Sequence, residues 1–164
     1  MKGVYKALST VWEEAILAYG NALSAYKETR IKTASQGQLI IMLYNEAVRQ
    51  LDQALALLDL HDSEKKDPGK IERISKAVVK TQEIVSELMV SLDFEQGGEI
   101  AVNLFSLYTW FNRELMEANI GKDARRITLV RNHLEGLRSA WQEIVATTAA
   151  ETANREVVGV NIAG

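Results

Sequence analysis

The residues able to do chemistry in this 164-residue chain are few, and they are poorly spaced for it. Histidine occurs twice, at His61 in a charged run and at His133. A di-iron site in a helical bundle takes inward carboxylates and Glu-x-x-His pairs, and neither histidine has a glutamate three residues before it. The absence of cysteine excludes disulfides, thiol catalysis and thiolate metal sites. Gly97-Gly98 lacks the spacing of a phosphate loop. No serine or threonine has a histidine or lysine partner at a spacing that suggests an activated nucleophile. The net charge of −3 and the lack of a basic stripe interleaved with aromatics speak against nucleic acid. No catalytic residue, cofactor or metal ligand is therefore assigned, and an enzyme has no support. What remains is recognition chemistry. Phe105, Thr109, Asn112 and Met116 follow one another at steps of four, three and four, with Ala101 and Val102 at the N-terminal end of the line. Such a line either widens a core stripe or forms an open groove for a partner helix, read by anchors at helical spacing.

These residues need helices to position them, and the periodicity supplies four. Ser35 followed by Gln38 is a capping box, in which the hydroxyl and the amide each satisfy a free backbone N–H. The helix that follows runs from about Gln36 to about Leu60, with Ile40, Leu43, Tyr44, Ala47, Leu51, Ala54, Leu55 and Leu58 on its core face. Ile41, Met42 and Val48 lie off that axis. A charged loop, 61–67, ends at Asp67-Pro68, an N-cap before proline at the first helical position. The second helix buries Ile71, Ile74, Val78, Val85, Leu88 and Leu92. A loop at 94–98 containing Gly97-Gly98 breaks the pattern. The third helix buries Ile100, Leu104, Leu107, Tyr108, Phe111 and Leu115, with Trp110 alone on its far side. Asn119-Ile120-Gly121 forms a left-handed stop. Asp123 caps a fourth helix burying Ile127, Val130, Leu134, Leu137, Trp141 and Ile144. Short connections between long helices force antiparallel neighbours, so the expected fold is all-α, an antiparallel up-down four-helix bundle.

The expected organisation is a bundle over 35–146 between two unlike ends. Residues 1–34 form an N-terminal amphipathic or extended segment, in which Val4, Leu8, Val11, Trp12, Ala15, Ile16 and Tyr19 recur at helical spacing. It reads either as a helix docked on the bundle or as a removable plug. From Thr147 the residues become small and weakly patterned, so a frayed, mobile tail is expected over 147–164. Hydrophobic residues make up 47% and charged residues 25%, an ordinary globular mix. The longest apolar run, Leu39 to Tyr44, is far short of a membrane span, so no membrane insertion is expected. Lys2 and Lys6 are followed by Glu13 and Glu14 within the apolar stretch, which makes a poor signal peptide.

Four stretches, in order along these elements, resemble the flagellin export chaperones of the FliS family. They are Leu23-Ser-Ala-Tyr26; Thr33-Ala34-Ser35 with Met42-Leu43-Tyr44; Ser91-Leu92-Asp93 with Gly97-Gly98-Glu99-Ile100-Ala101; and Asn103-Leu104 with Leu107-Tyr108 and Leu115-x-x-Ala118-Asn119. The similarity spans about Leu23 to Ile144. Gln36 stands where the family usually has proline, and Asn45-Glu46 where it commonly has Asp-Gly. The segment Met1 to Tyr19 has no counterpart in typical members. The resemblance implies a cytoplasmic, non-enzymatic chaperone that binds the disordered C-terminal segment of flagellin as it becomes helical. It implies that this binding blocks premature polymerisation and that the chaperone hands flagellin to the flagellar type III export gate. The flagellin-binding candidates are Leu23, Tyr26, Ile31, Ile41, Met42, Ala101, Val102, Phe105, Tyr108, Thr109, Asn112 and Met116. The alternative is a helical-bundle adaptor for some other amphipathic helix.

Overall fold

The computed structural model describes residues 36–59 and 67–161, and every regular element among them is α-helical. The elements are α1 (Gln36–Asp59), α2 (Pro68–Val90), α3 (Phe94–Gly121) and α4 (Ala124–Asn161). Ser35, the 61–66 part of the first loop and the whole amphipathic stretch before Gln36 lie outside the described residues.

Local chemistry sets the starts. The Asp67 side chain accepts the Gly69 N–H at 2.9 Å, with Pro68 in the first turn. Asp93 accepts from the N–H groups of Glu95 and Gln96. Asp123 accepts the Arg125 N–H at 2.9 Å at the head of α4. Each carboxylate meets donors that a helix start leaves unpaired.

Side-chain bonds fix the order of the helices. Asn45 and Asp52 of α1 accept hydrogen bonds from Arg138 and Arg131 of α4, so the two run antiparallel. Trp110 lies against His133, and Glu114 accepts from Arg126, setting α3 antiparallel to α4. Gln82 and Ser86 of α2 bond to Asn112 of α3, while Ser75 accepts from Lys122, so α2 and α3 are antiparallel as well. This is the up-down bundle. Its core holds Tyr44, Ala47, Leu51 and Ala54 of α1, Ile74, Val78, Ile84, Val85 and Leu88 of α2, Tyr108, Phe111, Leu115 and Ala118 of α3, and Ile127, Val130 and Leu134 of α4. Across the bundle, the hydroxyls of Tyr44 and Tyr108 form one short hydrogen bond inside that core. Burial raises both phenols above their ordinary range, and for Tyr44 the neighbouring Tyr108 adds to the shift.

Several expectations are corrected. Helix α3 begins at Phe94, not after Gly98, so 94–98 is not a loop; Gly98, at φ +49° and ψ −126°, is a non-helical break within the element. Beyond that break, Ala101 lies seven residues before Tyr108 on the buried stripe and enters the core, whereas Ile100, near the start of the element, is 71% exposed. Ile71 is 38% exposed and Ile144 54% exposed, each near an end of its packed stretch. Val48, placed off the core axis by its spacing, is buried. Trp110 is not isolated: its ring packs on Phe111 and edge-on to His133, 5.5 Å between centroids. The left-handed residue at the end of α3 is Lys122, φ +50°, rather than Gly121. The Lys122 ammonium offsets that strain by donating to Asn119 Oδ1 at 2.7 Å and Ser75 Oγ at 2.9 Å. Finally, α4 continues past Thr147 to Asn161, although residues 146–154 are all exposed and leave the core behind.

Candidate functional site

Helices α2 and α3 carry more apolar surface than their shared core uses. On α3, Val102, Phe105, Met116 and Ile120 are exposed, and they line one flank at helical spacing together with Thr109 and Asn112. Phe105 is 43% exposed and Met116 49% exposed. Leu115, one residue from Met116, is fully buried, so the flank and the core stripe are distinct faces of one helix. Phe94 extends the strip beyond the break at Gly98, with its ring edge-on to Phe105 at a 6.0 Å centroid separation.

The register of the α2–α3 pair places the neighbouring flank of α2 alongside. Asn112 sits opposite Gln82 and Ser86, and Lys122 opposite Ser75. In an antiparallel pair this puts exposed Val79 at the level of Met116 and exposed Val90 at the level of Phe105. The apolar strip therefore has two ends, Phe105 with Val90 and Met116 with Val79, and a polar middle. In the middle, Gln82 Nε2 donates to the Asn112 carbonyl at 3.1 Å and Asn112 Nδ2 donates to Ser86 Oγ at 3.2 Å. The Asn112 Oδ1 atom is buried with no hydrogen-bond partner. Charges of both signs form the rim: Lys76 pairs with Glu72 at 2.7 Å and Lys80 with Glu83 at 3.2 Å. The Lys76 contact lowers the Glu72 carboxyl below its ordinary value. An apolar strip with a paired, polar rim is the composition of a protein-binding surface rather than of a reaction centre.

The remaining sequence candidates fall elsewhere. Tyr108 is buried in the core and bonded to Tyr44, so its side chain is not open to a partner. Ala101 is buried beneath the strip. Ile41 and Met42 are half-buried on α1, and Ile41 lies one turn before Asn45 on the edge that faces α4. Leu23, Tyr26 and Ile31 lie outside the described residues. Sequence reasoning passed over Phe94, Ile120, Val79, Val90 and the Gln82–Ser86 pair. The two valines stand off the Ile74, Val78, Val85, Leu88 stripe, which was the available signal once α2 and α3 are set antiparallel. Among the described residues no cluster of histidines and carboxylates is arranged to hold a metal ion, and no helix is long and apolar enough to cross a membrane.

Known proteins share this architecture. The protein-family model described as "Flagellar protein FliS" matches residues 19–148. The flagellar secretion chaperone FliS of Salmonella typhimurium is 38% identical over 117 residues, which cover 71% of this chain and 82% of that protein. The protein of the same name from Campylobacter jejuni is 34% identical over 123 residues, 75% of this chain and 90% of the relative. The one from Bacillus subtilis is 26% identical over 129 residues, 79% of this chain and 90% of the relative. A crystal structure described as a flagellar chaperone from bacteria superposes with a TM-score of 0.60 at 17% identity, over 77% of this chain and 97% of that one. At that identity the superposition speaks for the fold alone.

Proposed function

This chain belongs to the FliS family of flagellar secretion chaperones, which are not enzymes, and from that premise we propose that its partner is the C-terminal segment of flagellin. In this reading the chaperone works in the cytoplasm. It masks a segment of flagellin that would otherwise drive polymerisation, and hands the subunit to the flagellar export gate. The exposed strip on α3 is the observation that supports it most directly. Phe105 and Met116 are large apolar side chains held on a rigid helix, beside a core that is already complete without them. A disordered segment that becomes helical on such a strip covers these side chains and removes its own apolar face from water. Ordering the segment opposes binding, so a contact larger than the α3 strip alone is expected.

Calorimetry and circular dichroism with a synthetic flagellin C-terminal segment test the proposal. Binding should lower the heat capacity as apolar surface is buried, and the segment should gain helix. No heat and no helix gain would overturn it. If cytosolic pull-downs instead return a different amphipathic helix while flagellin fails to bind, the general adaptor reading replaces it.

A further inference from the structure

The strip on α3 is interrupted at Asn112, and the interruption is chemically incomplete. Asn112 Nδ2 donates to Ser86 Oγ at 3.2 Å, whereas Oδ1 is buried with no donor. Turning the amide over does not cure this. Ser86 has one hydroxyl proton, and that proton goes to the Gln82 carbonyl at 2.8 Å. In the flipped orientation Oδ1 faces Ser86 Oγ and gains a donor only if Ser86 gives up its bond to the Gln82 carbonyl. Buried polar groups are almost always hydrogen-bonded, so an orphan acceptor in the middle of an apolar strip calls for an explanation. The residue as a whole is only half-buried, it stands on the flank of Phe105 and Met116, and the terminal torsion of asparagine is broad enough for the amide to turn.

We infer that Asn112 sets the register of the bound helix, by accepting a hydrogen bond from a serine, threonine, asparagine or glutamine of the partner. The inference rests on the reading that the partner is a flagellin helix lying along α3. Phe105 lies seven residues before Asn112 and Met116 four residues after it, about 10 Å and 6 Å along the axis. A helix lying against this strip matches it with an apolar anchor, a donor seven residues on and a second apolar anchor four beyond that, or the same pattern reversed. Those three positions share one face of a helix. A shift by one turn sets an apolar side chain over Asn112 and leaves its oxygen unpaired under the complex, so the wrong register is disfavoured by an unmet acceptor.

The test pairs two protein variants with a scanned ligand. In a synthetic flagellin C-terminal segment, each serine, threonine, asparagine and glutamine is changed in turn to alanine, and binding is measured to the unaltered chain and to Asn112→Leu. Leucine replaces an orphan polar group by an apolar one of similar size, a change that is nearly neutral for folding; Asn112→Ala serves as the second variant if the leucine protein does not fold. One ligand position should weaken binding to the unaltered chain by about 5- to 30-fold, and the same change should leave binding to Asn112→Leu within about twofold. If no position depends on Asn112, the register inference fails while the chaperone reading stands. If the segment binds neither protein, both fail.

Discussion

Leu115 and Met116 are adjacent in sequence and assigned here to opposite duties, which makes them the sharpest comparison in the molecule. Leu115 is fully buried among the packed helices, and Leu115→Ala leaves a cavity there. The expected loss is about 2–5 kcal/mol of folding free energy, against a total of about 5–15 kcal/mol for a typical domain. Met116 has half of its surface in water, at 49%. Covering the remainder on binding recovers about half of the ~1.5–3 kcal/mol that full burial of such a side chain provides, roughly 1 kcal/mol. Met116→Glu forfeits this and also forces a carboxylate against apolar surface, which adds at least about 2 kcal/mol. Together these weaken binding about 100-fold or more. Folding should scarcely change, because the new carboxylate sits in water in the free protein. Thermal melting by circular dichroism reads the first quantity, and calorimetric titration with the flagellin segment reads the second. A Met116→Glu protein that melts as low as Leu115→Ala would show that the flank is core. One that binds like the unaltered chain would show that the flank is not the site.

Ile100→Glu should change stability by no more than about 0.5 kcal/mol, since the side chain is already exposed; a collapse of the melting transition would return Ile100 to the core. At Gly37, a Cβ atom would lie 2.5 Å from Val145 Cγ2, so Gly37→Ala should destabilise by about 1–3 kcal/mol, with Val145→Ala restoring most of the loss. A Gly37→Ala protein that melts higher than its parent would contradict that close approach. The buried tyrosine pair predicts alkaline sensitivity. The phenols of Tyr44 and Tyr108 are held neutral in the folded state, whereas unfolded tyrosines ionise near pH ~10. Their stabilising contribution is therefore complete below about pH 10 and lost as pH rises above it. A Tyr44→Phe/Tyr108→Phe protein should lose less stability between pH 9 and 11 than its parent; equal losses would exclude the pair as the cause.

The middle of each helix was legible in the sequence because the apolar stripe there repeats at three and four: Tyr44 to Ala54, Ile74 to Leu88, Phe111 to Leu115, Ile127 to Leu134. The caps at Asp67 and Asp123 were legible because a carboxylate before a helix start has one main use. The ends were not. Ile100 and Ala101 flank the stripe of Tyr108, Phe111 and Leu115 on either side, so spacing alone does not choose between them; Ala101 is buried and Ile100, near the start of α3, is left in water. Ile144 continues the stripe of α4, but it stands near the level where α1 begins, and an apolar residue there has little to pack against. Trp110 looked isolated when read singly, yet it and His133 cover one another across two helices. The Phe105–Met116 flank could be read from its spacing, but its polar centre could not. The partners of Asn112 lie 26 and 30 residues away and are polar, so nothing in the pattern of hydrophobic residues points to them.

The last stretch of α4 bears on how order is created rather than on how it is packed. Gly37, near the start of α1, stands against Val145, and sixteen residues of helix, Ala146 to Asn161, continue beyond that point for about 24 Å. A helix of that length on its own is marginal in water, because the first turn fixes three residues for one hydrogen bond. Here that first turn has already been formed by the bundle, and each added residue only propagates it. Thr147, Thr148 and Thr152 each return a hydroxyl bond to the carbonyl four residues back. The overhang is a templated helix: it melts by unzipping from its far end, one residue at a time, without touching the cooperative transition of the core. Amide exchange along it should form a gradient, fastest towards Asn161 and slowing towards Val145, while the bundle exchanges as a block.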